Sequence, residues 1–172
     1  LPQANIFCVF FTFMVNSPCF DHLKTRGINP DRLIFARPTS LKKYLAQFKQ
    51  ADLFLDTFPY NAGATASNAL WSGLPVLTKL GLGYTARMAG SLLVSIGLPE
   101  LITSTEKEYE KLALELATNP GRLKAIRHKL AANRFSTPLF DSELFTENLE
   151  SGYRQACQRY FNGQKPDVIH VS

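Results

Sequence analysis

The chain has 172 residues, of which 45% are hydrophobic and 12% aromatic, and its formal net charge is +5. This length and composition exclude a disordered segment and indicate one domain, or one lobe of a larger protein, with a buried core. The modest positive charge fits an anionic ligand or a nucleic acid only weakly, and an ordinary solvated basic surface explains it more simply.

No residue pattern in the sequence is typical of a metal site or a disulfide framework. The three cysteines and the three histidines are scattered, without a C-x-x-C pair or a helical histidine pair: Cys8, Cys19, Cys157, His22, His128 and His170. We therefore expect no metal, and a reducing, cytoplasmic location. The apolar run Ile6–Val15 is too short to cross a bilayer and follows no basic residue, so we expect no membrane anchor or signal peptide.

Short apolar runs alternate with helical patterns over the first hundred residues. The predicted strands are Ile6–Phe13, Leu33–Ala36, Leu53–Asp56, Pro75–Lys79 and Leu101–Thr103, and the predicted helices are 19–26, 41–50, 65–72 and 85–96. The first four strands are continuously apolar, which is typical of strands that are buried on both faces of a parallel sheet. The alternation predicts an α/β fold with a Rossmann-like parallel sheet flanked by helices.

After Thr103 the pattern is helical only. Thr105 and Glu108 are spaced as a capping box, and Asn119 is placed to cap a second helix. A last helix over 141–161 has an apolar stripe of Phe145, Leu149, Tyr153, Ala156 and Tyr160. The second helix carries five basic residues, which indicate most simply a solvated helix: Arg122, Lys124, Arg127, Lys129 and Arg134. Since no base-reading pattern accompanies the charges, we predict no nucleic-acid partner. We divide the chain into an α/β core, 1–104, and a helical extension, 105–172.

The segment "NAGATAS", residues 61–67, is nearly free of bulky side chains, although it joins a strand to a helix. The carboxyl ends of parallel strands form the crevice in which such sheets bind ligands, and helix amino termini attract phosphate. Small residues at Gly63 and Ala64 would let a phosphate reach the backbone, and Thr65 could donate a hydroxyl. A tight turn with small residues for close helix–strand packing is an equally good explanation of the segment by itself.

The longer stretch "ADLFLDTFPYNAGATASNALWSGLPVLT", residues 51–78, resembles the carboxyl-terminal catalytic lobe of the O-GlcNAc transferase family, which includes the Spindly-type O-fucosyltransferases. The likeness begins at "RGINPDRLIFA" and continues through "ARMAGSLLVSIGLPELI", "EYEKLALELATNPGRLKAIRHKL", "STPLFDSELFTENLESGYRQ" and "GQKPD". Several motifs in the same order make this resemblance specific.

The resemblance implies the nucleotide-sugar-binding lobe of an inverting GT-B glycosyltransferase, which transfers GlcNAc or a related sugar to protein Ser or Thr. The donor would be a UDP- or GDP-linked sugar, without a cofactor or a metal. A missing amino-terminal lobe would supply the acceptor-activating groups, so no catalytic residue is assigned here. Tetratricopeptide (TPR) repeats upstream of the catalytic region present protein acceptors in many members of the family.

The family's ligand-binding positions can be matched one by one. The diphosphate cradle falls on Gly63, Ala64 and Thr65, and the ribose-binding position falls on Asn68. The base-stacking position falls on Tyr44, and the segment beside the base runs from Thr39 to Leu41, followed by Lys42. Tyr44 could instead be a core residue of helix 41–50, Asn68 a surface amide and Lys42 a solvated lysine.

One departure concerns the loop after the first strand, where the family has an "F-N-x-x-x-K"-like sequence whose lysine reaches the diphosphate. Here the chain reads "CVFFTFMVNSPCFDHLKTRG", without that lysine. Two alternatives therefore stay open, namely a non-catalytic binding or scaffold remnant of the same fold, and a GT-B enzyme that acts on a glycan or a small molecule.

Overall fold

A computed structural model of the chain describes residues 24–27, 29, 36 and 38–171. The predicted strands Ile6–Phe13 and Leu33–Ala36 and the predicted helix 19–26 fall wholly or mostly outside these residues. The segment 8–27, which lacks the lysine that the family resemblance predicts, also lies mostly outside the described residues.

The described residues contain a parallel sheet whose three strands are ordered as in the sequence: β1 (Phe54–Leu55), β2 (Val76–Lys79) and β3 (Ile102–Thr103). Phe54 pairs with Val76, and Thr78 pairs with Ile102. The strands are shorter than the apolar runs predicted, although the hydrogen bond from Asp56 N–H to the Leu77 carbonyl, 3.0 Å, continues the β1–β2 pairing by one residue. Because all the strands run the same way, their carboxyl ends meet at one edge of the sheet.

The helices within the described part follow the predicted order: α1 (Leu41–Phe48), α2 (Ala64–Trp71), α3 (Met88–Ser95), α4 (Glu106–Thr118), α5 (Pro120–Asn133) and α6 (Ser142–Phe161). The predicted helix 85–96 begins with a 3₁₀ turn at Thr85–Arg87. Helices on a parallel sheet confirm the α/β prediction.

Local sequence signals set the ends of the helices. Thr105 and Glu108 form the predicted capping box of α4, and Asn119 accepts a hydrogen bond from the Arg122 N–H at the start of α5. Helix α2 is followed by Gly73 and helix α3 by Gly97, each two residues after the helix ends, and their φ angles are +85° and +73°. Glycine is the residue that adopts this left-handed conformation without strain, so both helices stop where a glycine follows.

The core lies between the sheet and the helices packed on it. Fully buried residues come from β2, α2 and α3, and also from α4 and α5: Val76, Leu77, Ala66, Ala69, Leu70, Ala89, Leu93, Leu116 and Leu130. Helix α6, in contrast, contains no buried residue, and Phe145, Tyr153 and Tyr160 of its apolar stripe are exposed. Thus α4 and α5 share the core of the α/β unit, whereas α6 does not. The division at residue 104 stays a prediction.

Most of the basic residues on and just after α5 contact other parts of the fold. Four of them bond to other elements: Arg122 to Glu115, Arg127 to Asp52 at 3.1 Å, Lys129 to Glu100 at 2.8 Å, and Arg134 to the carbonyl of Trp71 at 2.7 Å. These contacts support the interpretation of a solvated basic helix whose side chains tie it to its neighbours.

Candidate functional site

Helix α2 begins at the carboxyl edge of the sheet, a few residues after β1 ends. Its N-cap residue is Gly63, and no side chain caps its first turn. Thr105, Asn119 and Asp141 cap α4, α5 and α6, whereas α1 and α3, like α2, have no side-chain cap. The first backbone N–H groups of α2 therefore have no side-chain acceptor, and together with the helix dipole they form a partly positive site.

The small residues in and after the turn differ in burial. Ala66 and Ala69 are completely buried, so they allow close packing of α2 on the sheet, as the packing explanation proposed. Ala64 is exposed and Gly63 is half-buried. A Cβ atom added at Gly63 would lie 3.4 Å from Met88 Cε, which is an ordinary contact. Packing thus explains the small side chains of Ala66 and, just beyond the segment, of Ala69. It does not require small residues at positions 63 and 64.

Three of the predicted site residues meet beside this turn. The hydroxyl of Tyr44 on α1 hydrogen-bonds to the side chains of Asn68 and Thr65 on α2. Burial raises the pKa of the Tyr44 hydroxyl, and the bonds to Asn68 and Thr65 oppose that shift. The Tyr44 ring also packs edge-on against Phe48, with ring centroids 4.9 Å apart. Tyr44 therefore belongs partly to the core and partly to the candidate site.

The remaining predicted residues lie on the surface near the start of α1. Thr39 and Lys42 are exposed, and Leu41 is 68% exposed. They precede Tyr44 in the chain and are accessible to solvent. The structure therefore brings together Tyr44, Thr65 and Asn68, and it leaves Thr39, Leu41 and Lys42 without a described contact to that group.

A buried polar network holds the loop between β1 and α2. Asp56 is 3% exposed, and its Oδ1 atom accepts the N–H groups of Thr57 at 2.9 Å and Ala62 at 2.8 Å. Its Oδ2 atom accepts the hydroxyl of Thr78 at 2.6 Å. Asn61 Nδ2 donates to the Thr78 hydroxyl oxygen and to the Lys79 carbonyl, both at 2.8 Å. Burial raises the pKa of the Asp56 carboxyl, and the hydrogen bonds it accepts partly offset this effect.

This network was not predicted, because the sequence patterns indicate Asp56 only as the end of a strand and Asn61 only as part of a small-residue segment. A signal was present, since an aspartate directly after an apolar strand falls at the ligand-binding edge of a parallel sheet. The partner Thr78 lies 22 residues further along the chain, and its contact with Asp56 depends on the pairing of β1 with β2.

Among the residues that the structure describes, no group of three or more His, Cys, Asp or Glu side chains is arranged to hold a metal ion. None of the helices in that part of the chain is both long enough and apolar enough to cross a membrane.

The chain was compared with known proteins. The model of glycosyl transferase family 41 matches residues 1–149. The probable UDP-N-acetylglucosamine–peptide N-acetylglucosaminyltransferase SEC of Arabidopsis thaliana is 34% identical over 147 residues, which cover 85% of this chain and 15% of that protein. The UDP-N-acetylglucosamine–peptide N-acetylglucosaminyltransferase of Caenorhabditis elegans is 28% identical over 169 residues, which cover 98% of this chain and 15% of that protein.

A solved structure is also similar to this chain. A mutant of the O-GlcNAc transferase of Thermobaculum terrenum superposes with a TM-score of 0.75 and 36% identity, covering 83% of this chain and 28% of that one. The chain thus spans only a small part of the length of its relatives, and its parallel sheet with flanking helices is that of a GT-B glycosyltransferase lobe. Both the sequence match over most of the chain and the shared fold lead to one conclusion: the chain belongs to glycosyl transferase family 41.

Proposed function

We propose that this chain is the nucleotide-sugar-binding lobe of an inverting glycosyltransferase that transfers GlcNAc, or a related sugar, to serine or threonine of a protein. The observation that carries the proposal is the uncapped amino terminus of α2 at the carboxyl edge of the sheet, with Tyr44, Thr65 and Asn68 grouped beside it. The matched proteins of Arabidopsis thaliana and Caenorhabditis elegans are named UDP-N-acetylglucosamine–peptide N-acetylglucosaminyltransferases, which supports this donor and this class of acceptor.

Each part of the candidate site has a task in this proposal. The free N–H groups of Gly63, Ala64 and Thr65 bind the diphosphate and stabilise its growing negative charge as the sugar leaves. Tyr44 stacks on the base, and Asn68 hydrogen-bonds to the ribose. Thr39, Leu41 and Lys42 line the approach to the base.

The full reaction needs partners beyond these residues. An amino-terminal lobe would hold the acceptor and the group that activates its hydroxyl, and upstream TPR repeats would present protein substrates. These partners, the choice between UDP and GDP, and a cytoplasmic location are all part of the proposal.

Titration of the chain with UDP and with GDP, by calorimetry or ligand-observed NMR, tests the nucleotide site. We expect a dissociation constant on the order of 0.1–1 mM, or about −4 to −5.5 kcal/mol, because the family lysine is missing and Asn68 carries no charge. Uridine, which lacks the diphosphate, is the matched control and should bind at least tenfold more weakly than UDP. Absence of binding by both nucleotides at millimolar concentration would overturn the proposal.

A further inference from the structure

The loop between β1 and α2 is fastened at both ends by one carboxylate. Asp56 Oδ1 accepts the N–H of Thr57, the first residue of the loop, and the N–H of Ala62, its last residue before the N-cap Gly63. The hydroxyl of Thr57 also donates to the Tyr60 carbonyl at 3.1 Å inside the loop. The position of the first turn of α2 therefore depends on the position of the Asp56 side chain.

The Asp56 side chain is fixed in turn by the neighbouring strand. The Thr78 hydroxyl donates its only proton to Asp56 Oδ2, so it can only accept from Asn61 Nδ2. Asn61 Nδ2 faces two acceptors, the Thr78 hydroxyl and the Lys79 carbonyl, which determines the orientation of its amide. These bonds couple both ends of the loop to β2.

Charge alone does not explain the carboxylate at this place. Asp56 takes part in no ion pair within the part of the chain that the structure describes, and its side chain is matched by hydrogen-bond donors only. A negative charge close to a helix amino terminus that receives an anion opposes binding by simple Coulomb repulsion. Any benefit of Asp56 to anion binding therefore comes through the geometry of the turn that its hydrogen bonds hold.

We propose that Asp56, Asn61 and Thr78 form a positioning cluster that holds the amino terminus of α2 in the geometry that accepts a diphosphate. This inference rests on the proposed nucleotide site. The three residues act through the backbone N–H groups of the turn and do not contact the ligand themselves.

Three variants in the strands test the cluster, with UDP affinity and urea stability as the two readouts. Thr78→Val keeps the shape of the side chain and removes the hydroxyl that binds Asp56. Thr78→Ser keeps that hydroxyl. Thr103→Val is the matched control, because the Thr103 hydroxyl is also buried and donates to the Thr78 carbonyl at 2.9 Å, which belongs to the strand and not to the loop.

We expect Thr78→Val to weaken UDP binding at least tenfold, whereas Thr78→Ser and Thr103→Val stay within about threefold of the unmodified chain. Equal affinities of Thr78→Val and Thr103→Val would overturn the positioning role and leave the proposed function intact. Failure of the unmodified chain to bind UDP would instead overturn the proposed function, and this inference with it.

Asp56→Asn provides a second test, which decides the matter where Thr78→Val does not fold. The substitution removes a negative charge, so a purely electrostatic role predicts tighter binding of UDP. A positioning role predicts weaker binding, by at least threefold, because the amide presents a donor where the carboxylate accepted one. Unchanged or tighter binding by folded Asp56→Asn would contradict the proposal.

Discussion

The hydroxyl of Tyr44 on α1 is hydrogen-bonded to the side chain of Asn68 on α2, two residues that are 24 positions apart in the sequence. This bond joins the helix that carries the proposed base-stacking residue to the helix whose amino terminus is the proposed diphosphate site. The bond therefore links the two helices on which the proposed site residues lie.

Substitutions of Tyr44 separate the contribution of its hydroxyl to stability from the proposed contribution of its ring to UDP binding. Tyr44→Phe removes the hydroxyl bonds and keeps the ring contact with Phe48, so we expect a loss of about 0.5–1.5 kcal/mol in the free energy of unfolding and little change in UDP affinity. Tyr44→Ala also removes the stacking surface and should weaken UDP binding by about 1–3 kcal/mol. Urea unfolding and calorimetry measure both. If Tyr44→Ala binds UDP as tightly as Tyr44→Phe does, Tyr44 is only a core residue.

The exposure of Ala64 makes it the place to block the proposed diphosphate site without disturbing the core. Ala64→Leu should abolish UDP binding and leave the free energy of unfolding within about 0.5 kcal/mol of the original value, as for other surface positions. Ala66→Leu is the matched control two residues away, and because Ala66 is completely buried it should cost about 1–3 kcal/mol of stability. Unfolding of Ala64→Leu would mean that residue 64 is packed in the core.

The sequence allowed the architecture to be predicted because apolar blocks and caps are local. The strands β1 to β3, the helices α1 to α6 and the caps at Thr105 and Asn119 all follow from patterns of a few residues. The contacts of Tyr44 with Asn68 and of Asp56 with Thr78 join residues far apart in the chain. Such contacts depend on how the elements pack, so the family resemblance named some of the partners but no local pattern could give their bonding.

Whether the apolar stripe of α6 is buried is a second feature that the sequence alone does not determine. Its periodicity predicts a helix with one apolar face, and the helix is present over Ser142–Phe161. Periodicity does not indicate what covers that face, and Phe145 and Tyr153 are exposed in the described part of the chain. The face of a helix can be predicted locally, but its burial depends on the elements that pack against it.

The raised pKa of Asp56 predicts a pH dependence of stability. Because burial raises the pKa in the folded state above that of the unfolded chain, the folded state binds more protons between the two values. The stability contributed by this group is therefore complete below the unfolded-chain pKa, about 3.9, and is lost as the pH rises through the folded-state pKa. Asp56→Asn does not titrate, so the difference in the free energy of unfolding between it and the original chain should shift in favour of Asp56→Asn as the pH rises through that window, whatever the lost acceptor costs at every pH.

Urea unfolding of both proteins at a series of pH values measures the difference directly, since the contributions of all other groups cancel. Glu110→Gln, which removes an exposed carboxylate that forms no ion pair with another described residue, controls for the loss of one negative charge. A difference between Asp56→Asn and the original chain that is constant from pH 3 to 7 would show that the Asp56 pKa is the same in both states.

The 172-residue chain by itself is expected to transfer no sugar. It spans 28% of the matched transferase chain, and the proposed reaction needs a second lobe that holds the acceptor. Holding the acceptor oxygen in line with the anomeric carbon can supply roughly 7–11 kcal/mol of the barrier, and this lobe is proposed to hold only the leaving nucleotide. In the proposed site, the family lysine that this sequence lacks would have stabilised the diphosphate further, and loss of one such donor typically costs about 10²–10³ in rate.

The assay incubates the purified chain with labelled UDP-GlcNAc, UDP-glucose or GDP-fucose and a mixture of protein acceptors. We expect no incorporation above that of a sample without the chain, while UDP binding is retained. Ala64→Leu serves as the control for site-dependent activity, since its blocked turn cannot hold the donor. Incorporation by the original chain that disappears in Ala64→Leu would contradict both the need for a second lobe and the alternative of a non-catalytic remnant, because this lobe would then place the acceptor as well as the leaving group.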